Sequence, residues 1–480
     1  MRRSGLCTMI TLLALTISAI AQTRPATFPT EPLTADELDT VYRAELGPRH
    51  TPAIAEKLHG LHPLIEQYFA ADSQQSRDEL VAQIESADVA PEIIGRVVRV
   101  RLDWPKPAAG VYWVDEKFGR HTVRYLLGIP PAYDRTRAWP LVVALPGSEA
   151  FVAQAALSPE QLREEHARRV EAELRRRPDA IVLMPLLDPQ DALGLSLRAT
   201  NAVIQPLLHA TGRVNVDPRR VYLIGHGSGG YAAWNIALHY PTCFAAFAPL
   251  AAGADADWQR LRLMNLRNVL PVVWADADDA VVKPDQSRQL VAALRRMKLD
   301  VDFDQTSGLG HVPSKDVVER VDKKMRARSR SLYPQQVSLQ SNRRETMFNR
   351  VDWVQVYQPI NPGADRRLLI RHSPAPMIVS ENAFKIDAAI TKPNTIEAMC
   401  DNIASMRFYL NDQMVDLSKP VTLIVNRRTR FEGIVEPSVA ELLKDQLILG
   451  RGWRYFTAVI DVDLTERPAT TKATTVPAGG

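Results

Sequence analysis

Three stretches of this 480-residue chain carry side chains that could do chemistry. The first is Val221 to Tyr231, V-Y-L-I-G-H-G-S-G-G-Y. Val221–Ile224 is apolar and β-branched at both ends, which reads as a strand. The small residues Gly225 to Gly230 read as a sharp turn, and a helical pattern then runs from Tyr231 to His239 before Pro241. Ser228 sits in that turn and is a candidate nucleophile, provided a base stands beside it. The second stretch holds Asp276, Asp278 and Asp279 behind the strand candidate Val272–Trp274. The third is His311, in G-L-G-H-V-P, between the strand candidate Val301–Phe303 and a helix from about Ser314. An imidazole oriented by a carboxylate can take a proton from a hydroxyl and return it to a leaving group.

Two other chemistries compete for the same residues. Gly225, Gly227 and Gly230 match the dinucleotide fingerprint G-x-G-x-x-G. That motif belongs on the first strand of its fold with an acid about 20 residues on, whereas here several strands precede it and no well-placed acid follows. The three aspartates could hold calcium, but the loop glycine and final glutamate of an EF-hand are missing. His50, His59 and His62 suit neither one helical face nor a metal site, because Gly60 and Pro63 interrupt them. No metal and no cofactor is therefore expected.

The elements that must position these residues alternate. Strand candidates are Val111–Val114, Val123–Ile129, Leu141–Leu145, Ala180–Met184, Val221–Ile224, Phe244–Ala248, Val272–Trp274 and Val301–Phe303, with helical patterns between most of the later ones. Short apolar strands alternating with helices predict an α/β fold, a mostly parallel sheet with helices on both faces.

Here a resemblance becomes specific. Tyr125-Leu-Leu-Gly-Ile-Pro-Pro-Ala-Tyr-Asp134, followed by Trp139-Pro-Leu-Val-Val-Ala-Leu-Pro-Gly147, resembles the opening of secreted α/β-hydrolases, the esterase and peptidase-like group that includes polyhydroxybutyrate depolymerase-like and dienelactone-hydrolase-like domains. Pro146 stands where that group has histidine. The run G-H-G-S-G-G-Y-A-A-W resembles the group's nucleophile elbow, G-H-S-x-G-G-Y-x-A-W, with glycine where serine should be. Two registers follow. If Gly225 and Gly229 frame the turn, the nucleophile position is Gly227, which has no side chain. If Ser228 is the nucleophile, the framing positions are His226 and Gly230, and His226 is bulky for a tightly packed turn. The resemblance further implies Asp279 as the orienting acid and His311 as the base. It implies an oxyanion hole from the loop after the Leu141–Leu145 strand, at Ser148, and from the residue after the nucleophile, Ser228 in the first register or Gly229 in the second.

The rest of the chain bounds compartment and partners. Hydrophobic residues make up 46% and charged residues 24%, an ordinary globular balance. A net charge of +4 is too small to point to nucleic acid, and the arginines of Arg163–Arg177 alternate with glutamate as on a solvated helix face. Arg2 and Arg3, the apolar run Met9–Ile20, and Ala19-Ile20-Ala21 before Gln22 read as a secretory signal peptide. The expected mature protein is secreted or periplasmic, with no membrane span after signal removal. Cys243 and Cys400 remain, and buried thiols are expected, with a disulfide between them left open.

The expected organisation is a signal peptide (1–21), a linker (22–33), a small helical region (34–104), an α/β-hydrolase domain (107–330), a β-rich, sandwich-like domain (332–465) and a polar tail (466–480). Thr34 with Glu37, and Ser76 with Glu79, predict capping boxes in the helical region. The β-rich part has strand candidates at Val351–Tyr357, Arg367–Arg371, Ala383–Ile390, Ser405–Leu410, Val421–Asn426 and Thr457–Asp463, and one helix from Ser438. Its run Tyr409–Asn426 resembles C-terminal β-modules of secreted bacterial hydrolases. Trp353, Tyr357, Trp453 and Tyr455 would form either a carbohydrate platform or core.

The implied function is a secreted hydrolase of the serine type, cleaving an ester or peptide bond in a small molecule or polymer, polysaccharide among the candidates. Ser228 would attack, His311 would act as base and Asp279 would orient it. The alternative is a catalytically inactive binding protein, with Gly227 in place of the nucleophilic serine.

Overall fold

The computed structural model describes residues 24–25, 31–147, 157–254, 257–343, 348–360, 366–370, 377–381 and 383–465. The signal-peptide stretch 1–21, Ser148 and the tail 466–480 lie outside them.

The central element is a twisted sheet of β1 (Gly110–Phe118), β2 (His121–Ile129), β3 (Trp139–Leu145), β4 (Ile181–Pro185), β5 (Val216–His226), β6 (Ala246–Leu250), β7 (Leu270–Asp276) and β8 (Asp302–Thr306). Its spatial order is β1-β2-β4-β3-β5-β6-β7-β8, with the two-residue strand Arg24–Pro25 beside β1. Only β2 runs against the others, pairing antiparallel with both β1 and β4. Side chains alternate between two cores, as the two-residue period of a strand requires. Along β5, Val221 and Leu223 enter one core and Tyr222 and Ile224 the other. The first core is covered by α6 (Leu197–Arg213), α7 (Ser228–His239) and α8 (Pro284–Arg296), through residues such as Leu207, Trp234 and Leu290. The second is covered by α5 (Pro159–Arg176) and α9 (Lys315–Ala327), through Val170 and Val321.

Before the sheet come α1 (Ala35–Leu46), α2 (Pro52–Ala70), α3 (Gln74–Ser86) and α4 (Pro91–Val97). Thr34 and Glu37 form the expected capping box on α1. The box expected at Ser76 is replaced by a cap one turn earlier, where Ser73 Oγ accepts from the Ser76 amide. His62 is buried and satisfied: the Tyr42 hydroxyl donates to Nδ1 (2.7 Å) and Nε2 donates to the Val100 carbonyl (2.9 Å).

After the sheet lie two packed sheets, antiparallel except for one parallel pair between Thr395–Asp401 and Val421–Val425. One contains β9 (Gln336–Ser341), β14 (Phe384–Lys392), β15 (Thr395–Asp401), β17 (Val421–Val425) and β18 (Arg428–Gly433). The other contains β10 (Arg350–Val351), β11 (Val354–Gln358), β16 (Ser405–Leu410) and β19 (Ala458–Asp463). A hairpin of β12 (Arg366–Ile370) and β13 (Met377–Glu381) stands apart from both. The single strand expected over Val351–Tyr357 is two, because the chain turns back at Asp352, whose φ is 44°. Phe384, Ile386 and Leu423 of one sheet meet Val354, Phe408 and Ile460 of the other in a shared core.

The helix of this last part, α10 (Val439–Leu449), does not pack with the sandwich alone. Val439, Leu442 and Leu443 join the core of the N-terminal helices. Buried Arg451 donates to the carbonyls of Val98 and Val100 and to the Glu66 carboxylate. The N-terminal helices, α10 and Arg451 are thus one packed unit. Of the two readings of the aromatics the core one holds for three: Trp353 is fully buried in the sandwich core, Trp453 and Tyr455 are buried elsewhere, and Tyr357 is exposed. Cys243 and Cys400 are both free thiols. Among the described residues no helix is long and apolar enough to cross a membrane.

Candidate active site

The site is built where β5 turns into α7. Strand β5 lies in the middle of the sheet, so its C-terminal end faces the loops that follow β3, β6, β7 and β8. His226 ends the strand, Ser228 begins the helix, and Gly227 between them has φ 54° and ψ −120°. A side chain is costly at this positive φ and glycine is not.

The neighbours of the turn decide its register. A Cβ on Gly225 would lie 2.2 Å from the Gly229 carbonyl oxygen, and a Cβ on Gly229 would lie 2.8 Å from the Pro146 carbonyl oxygen. Main chain approaches too closely for any side chain at Gly225, Gly229 and Gly230 alike. His226, the other framing position of the Ser228 register, carries a full ring, so the frame falls to Gly225 and Gly229. They frame Gly227 as the apex. This is the α/β-hydrolase fold. Its strand order, its sharp strand-to-helix turn and the loop positions of acid and histidine occur together in one chain.

In this hydrolase fold the apex faces the histidine. A Cβ on Gly227 would lie 3.3 Å from His311 Nε2. On the other side of the ring, His311 Nδ1 lies 3.0 Å from Asp279 Oδ2. The Asp279 side chain is 1% exposed and that of His311 22%. Asp279 Oδ1 also accepts from the amides of Val281 (2.8 Å) and Val282 (2.9 Å), so the carboxylate is fixed before it meets the imidazole. With Nδ1–H donated to the carboxylate, Nε2 presents a lone pair toward the apex.

The other two aspartates hold the histidine loop. Asp276 accepts from Thr306 Oγ1 (2.7 Å) and from the amides of Gly310 (3.1 Å) and Leu309 (3.2 Å). Burial alone would raise its pKa, but these hydrogen bonds and one from the Asp278 amide hold the carboxyl below the usual carboxylate range. Asp278 Oδ2 accepts from the Gly308 amide (2.7 Å) and Ser307 Oγ (2.9 Å). Reading the sequence for chemistry missed His226. Its Nε2 donates to the His311 carbonyl (2.8 Å), and the two rings lie 4.8 Å apart. Its place between the framing glycines was the available signal, and there it pointed only to a bulky intruder.

Ser228 stands apart from this arrangement. It is the first residue of α7, and its hydroxyl is buried with no hydrogen-bond partner among the described residues. Ser228 was expected to attack as the nucleophile; the turn places Gly227 there instead, because the close approaches at Gly225 and Gly229 set the frame. The residue after the apex is then Ser228, so the oxyanion donor that the resemblance implies falls to the Ser228 amide, and Gly229 has the framing role. Gly230 packs on the end of β6, where a Cβ would lie 2.6 Å from Ala252 Cβ. Ser148, expected to supply the other donor, lies outside the described residues. Beside Pro146 a pocket of 150 Å³ is lined by Trp113, Leu162, His166, Met184 and Leu187 among others.

No family model matches the sequence, and no curated protein matches it. Similar solved structures are a thermostable esterase (21% identity, TM-score 0.37, covering 46% of this chain and 63% of that one), an S-formylglutathione hydrolase from Staphylococcus aureus (14%, 0.35, 46% and 98%), and a ferulic acid esterase from Anaeromyces mucronatus bound to ferulic acid (13%, 0.32, 48% and 93%). The fold assignment rests on this chain's own strand order and turn.

Proposed function

We propose that this protein is a ligand-binding protein built on the α/β-hydrolase fold, one that forms no seryl acyl-enzyme. The observation that carries the reading is Gly227 at the apex, 3.3 Å from its would-be Cβ to His311 Nε2. A seryl ester needs an oxygen at that point, and glycine supplies none. The groups that remain suit a small carbonyl compound that also bears a hydroxyl or amide hydrogen. Unpaired amides at the start of α7 can receive the carbonyl oxygen, and Nε2 of His311 can accept from the hydrogen. The pocket beside Pro146 would take an apolar substituent. Peptides, amides and hydroxy esters belong to this class. The N-terminal sequence supports export, so the ligand is read as periplasmic or extracellular; N-terminal sequencing of the mature protein should begin at Gln22.

The test pairs covalent and equilibrium measurements. A fluorophosphonate probe should leave the folded wild-type chain unlabelled, while small peptides and hydroxy esters raise its melting temperature. A phosphonate adduct on Ser228 would overturn the reading.

The intact Asp279–His311 pair favours a second reading. A water occupying the space of the missing side chain could lose a proton to His311 Nε2 as its oxygen attacks a bound carbonyl. The leaving group would then take that proton, and no covalent intermediate would form. This reading requires turnover of a small ester that falls on His311→Ala and shows no burst; its absence leaves binding alone.

A further inference from the structure

A second cleft lies at the opposite end of the sheet, about 20 Å from the elbow along β5. Its volume is 660 Å³, within the range of ligand sites. It forms where the helical region, the base of the hydrolase sheet and the segment after α10 meet. Six arginines line it: Arg96, Arg99, Arg137, Arg219, Arg220 and Arg454. Their carboxylate partners are four. Arg96 pairs with Asp412, Arg99 with Glu45, Arg219 and Arg220 share Asp217, and Arg454 meets Asp352 at 3.3 Å. Asp352 is itself shared with Arg330 at 2.7 Å. Arg137 has no carboxylate partner among the described residues and lies over the Trp139 ring.

The wall also carries buried polar atoms that have no partner among the described residues. Trp453 (7% exposed), Arg454 (6%) and Gln446 (2%) all line the cleft. Trp453 Nε1, Arg454 Nε, Arg96 Nε and Gln446 Oε1 have no hydrogen-bond partner among the described residues. Leaving such a group unpaired costs about 1–3 kcal/mol, so three donors and one acceptor on the residues of this wall are held at a standing cost. Burial, with repulsion from Arg330 and Arg350 working against the attraction of Asp352, pushes the Arg454 guanidinium down to about 10. Tyr333 and Tyr455 add aromatic faces.

We propose that this cleft binds a small anion carried on a hydroxylated body, a sugar acid or a sugar phosphate. The excess guanidinium charge and the free N–H donors take the anionic group. Gln446 Oε1 accepts from a ligand hydroxyl, and the aromatic faces cover its ring. This site is independent of the elbow and of the reading given to it.

The experiment is titration calorimetry on the full chain with glucuronate, glucose phosphate, glucose and inorganic phosphate. Saturable binding of glucuronate or glucose phosphate is expected, weakening with added salt. Arg137→Ala and Arg219→Ala remove exposed arms of the cleft and should each weaken it on the order of tenfold, with melting temperature nearly unchanged. Binding of glucuronate alone identifies the carboxylate, and of glucose phosphate alone the phosphate; either supports the site. No binding by either, affinity unchanged from wild type in both variants, or inorganic phosphate binding as tightly as glucose phosphate would overturn it.

Discussion

A Cβ placed on Gly227 would stand 3.3 Å from Nε2 of His311, the imidazole whose other nitrogen is hydrogen-bonded to Asp279. Imidazole and carboxylate are assembled around a position that has no side chain.

Gly227→Ser should therefore complete a triad. The variant is expected to gain labelling by a fluorophosphonate at residue 227 that disappears when His311→Ala is added. The cost is that of a side chain at positive φ, about 1–2 kcal/mol, plus a few tenths of an ångström of movement in His311. Mass spectrometry of the labelled peptide and a denaturation curve check both halves.

His226 acts through His311, by holding its carbonyl at 2.8 Å. In the Gly227→Ser background, His226→Phe keeps a ring and removes the donor. Labelling should slow on the order of tenfold, as when a positioning partner of a reactive histidine is lost. An unchanged labelling rate with an unchanged pH profile would assign His226 to packing alone.

Ser228 offers the converse. Its hydroxyl is buried and unpartnered, so Ser228→Ala should be neutral or stabilising by up to about 1 kcal/mol. The same change in the Gly227→Ser background should leave labelling intact. Loss of labelling there would mean that the hydroxyl reaches the site.

Arg451 joins the chain's two ends through Val98, Val100 and Glu66. Arg451→Met should destabilise by about 3 kcal/mol or more, since two carbonyls and a carboxylate lose a charged donor together. Limited proteolysis should then release fragments from the 34–104 helices before the central sheet is cut.

Three histidines predict acid sensitivity. Burial pushes His62 and His209 down to about 4 and His239 to about 3, from an ordinary value of 6.5. The unfolded chain binds more protons than the folded one between those limits. Stability is thus full above about pH 6.5 and falls as pH drops toward 4, by up to about 1.4 kcal/mol per unit for each histidine. Urea midpoints measured across that window should fall steadily, and a flat midpoint would contradict the assignment.

Much of the fold was legible because its signals are local. Apolar runs marked the strands, the glycine cluster marked the turn, and Thr34 and Ser438 marked helix starts. Asp279 and His311 were legible only through resemblance, since neither residue type nor spacing links two loops 32 positions apart. Three features were hidden for a different reason. Val351–Tyr357 carries one continuous apolar pattern although the chain folds back at Asp352. Helix α10 shows an apolar face but not which core receives it, and it joined helices more than 300 residues away. The cleft of arginines draws on all three parts of the chain.

The sequence by itself determined that a strand, a glycine-rich turn and a helix would meet near residue 227, and that only Gly227 or Ser228 could be the apex. It could not choose between them, because both registers satisfy the same short string. Tertiary structure chose, through the carbonyls of Gly229 and Pro146, which leave no room for a Cβ at Gly225 or Gly229. Backbone-to-backbone approach is a property of packed elements, and no single segment encodes it.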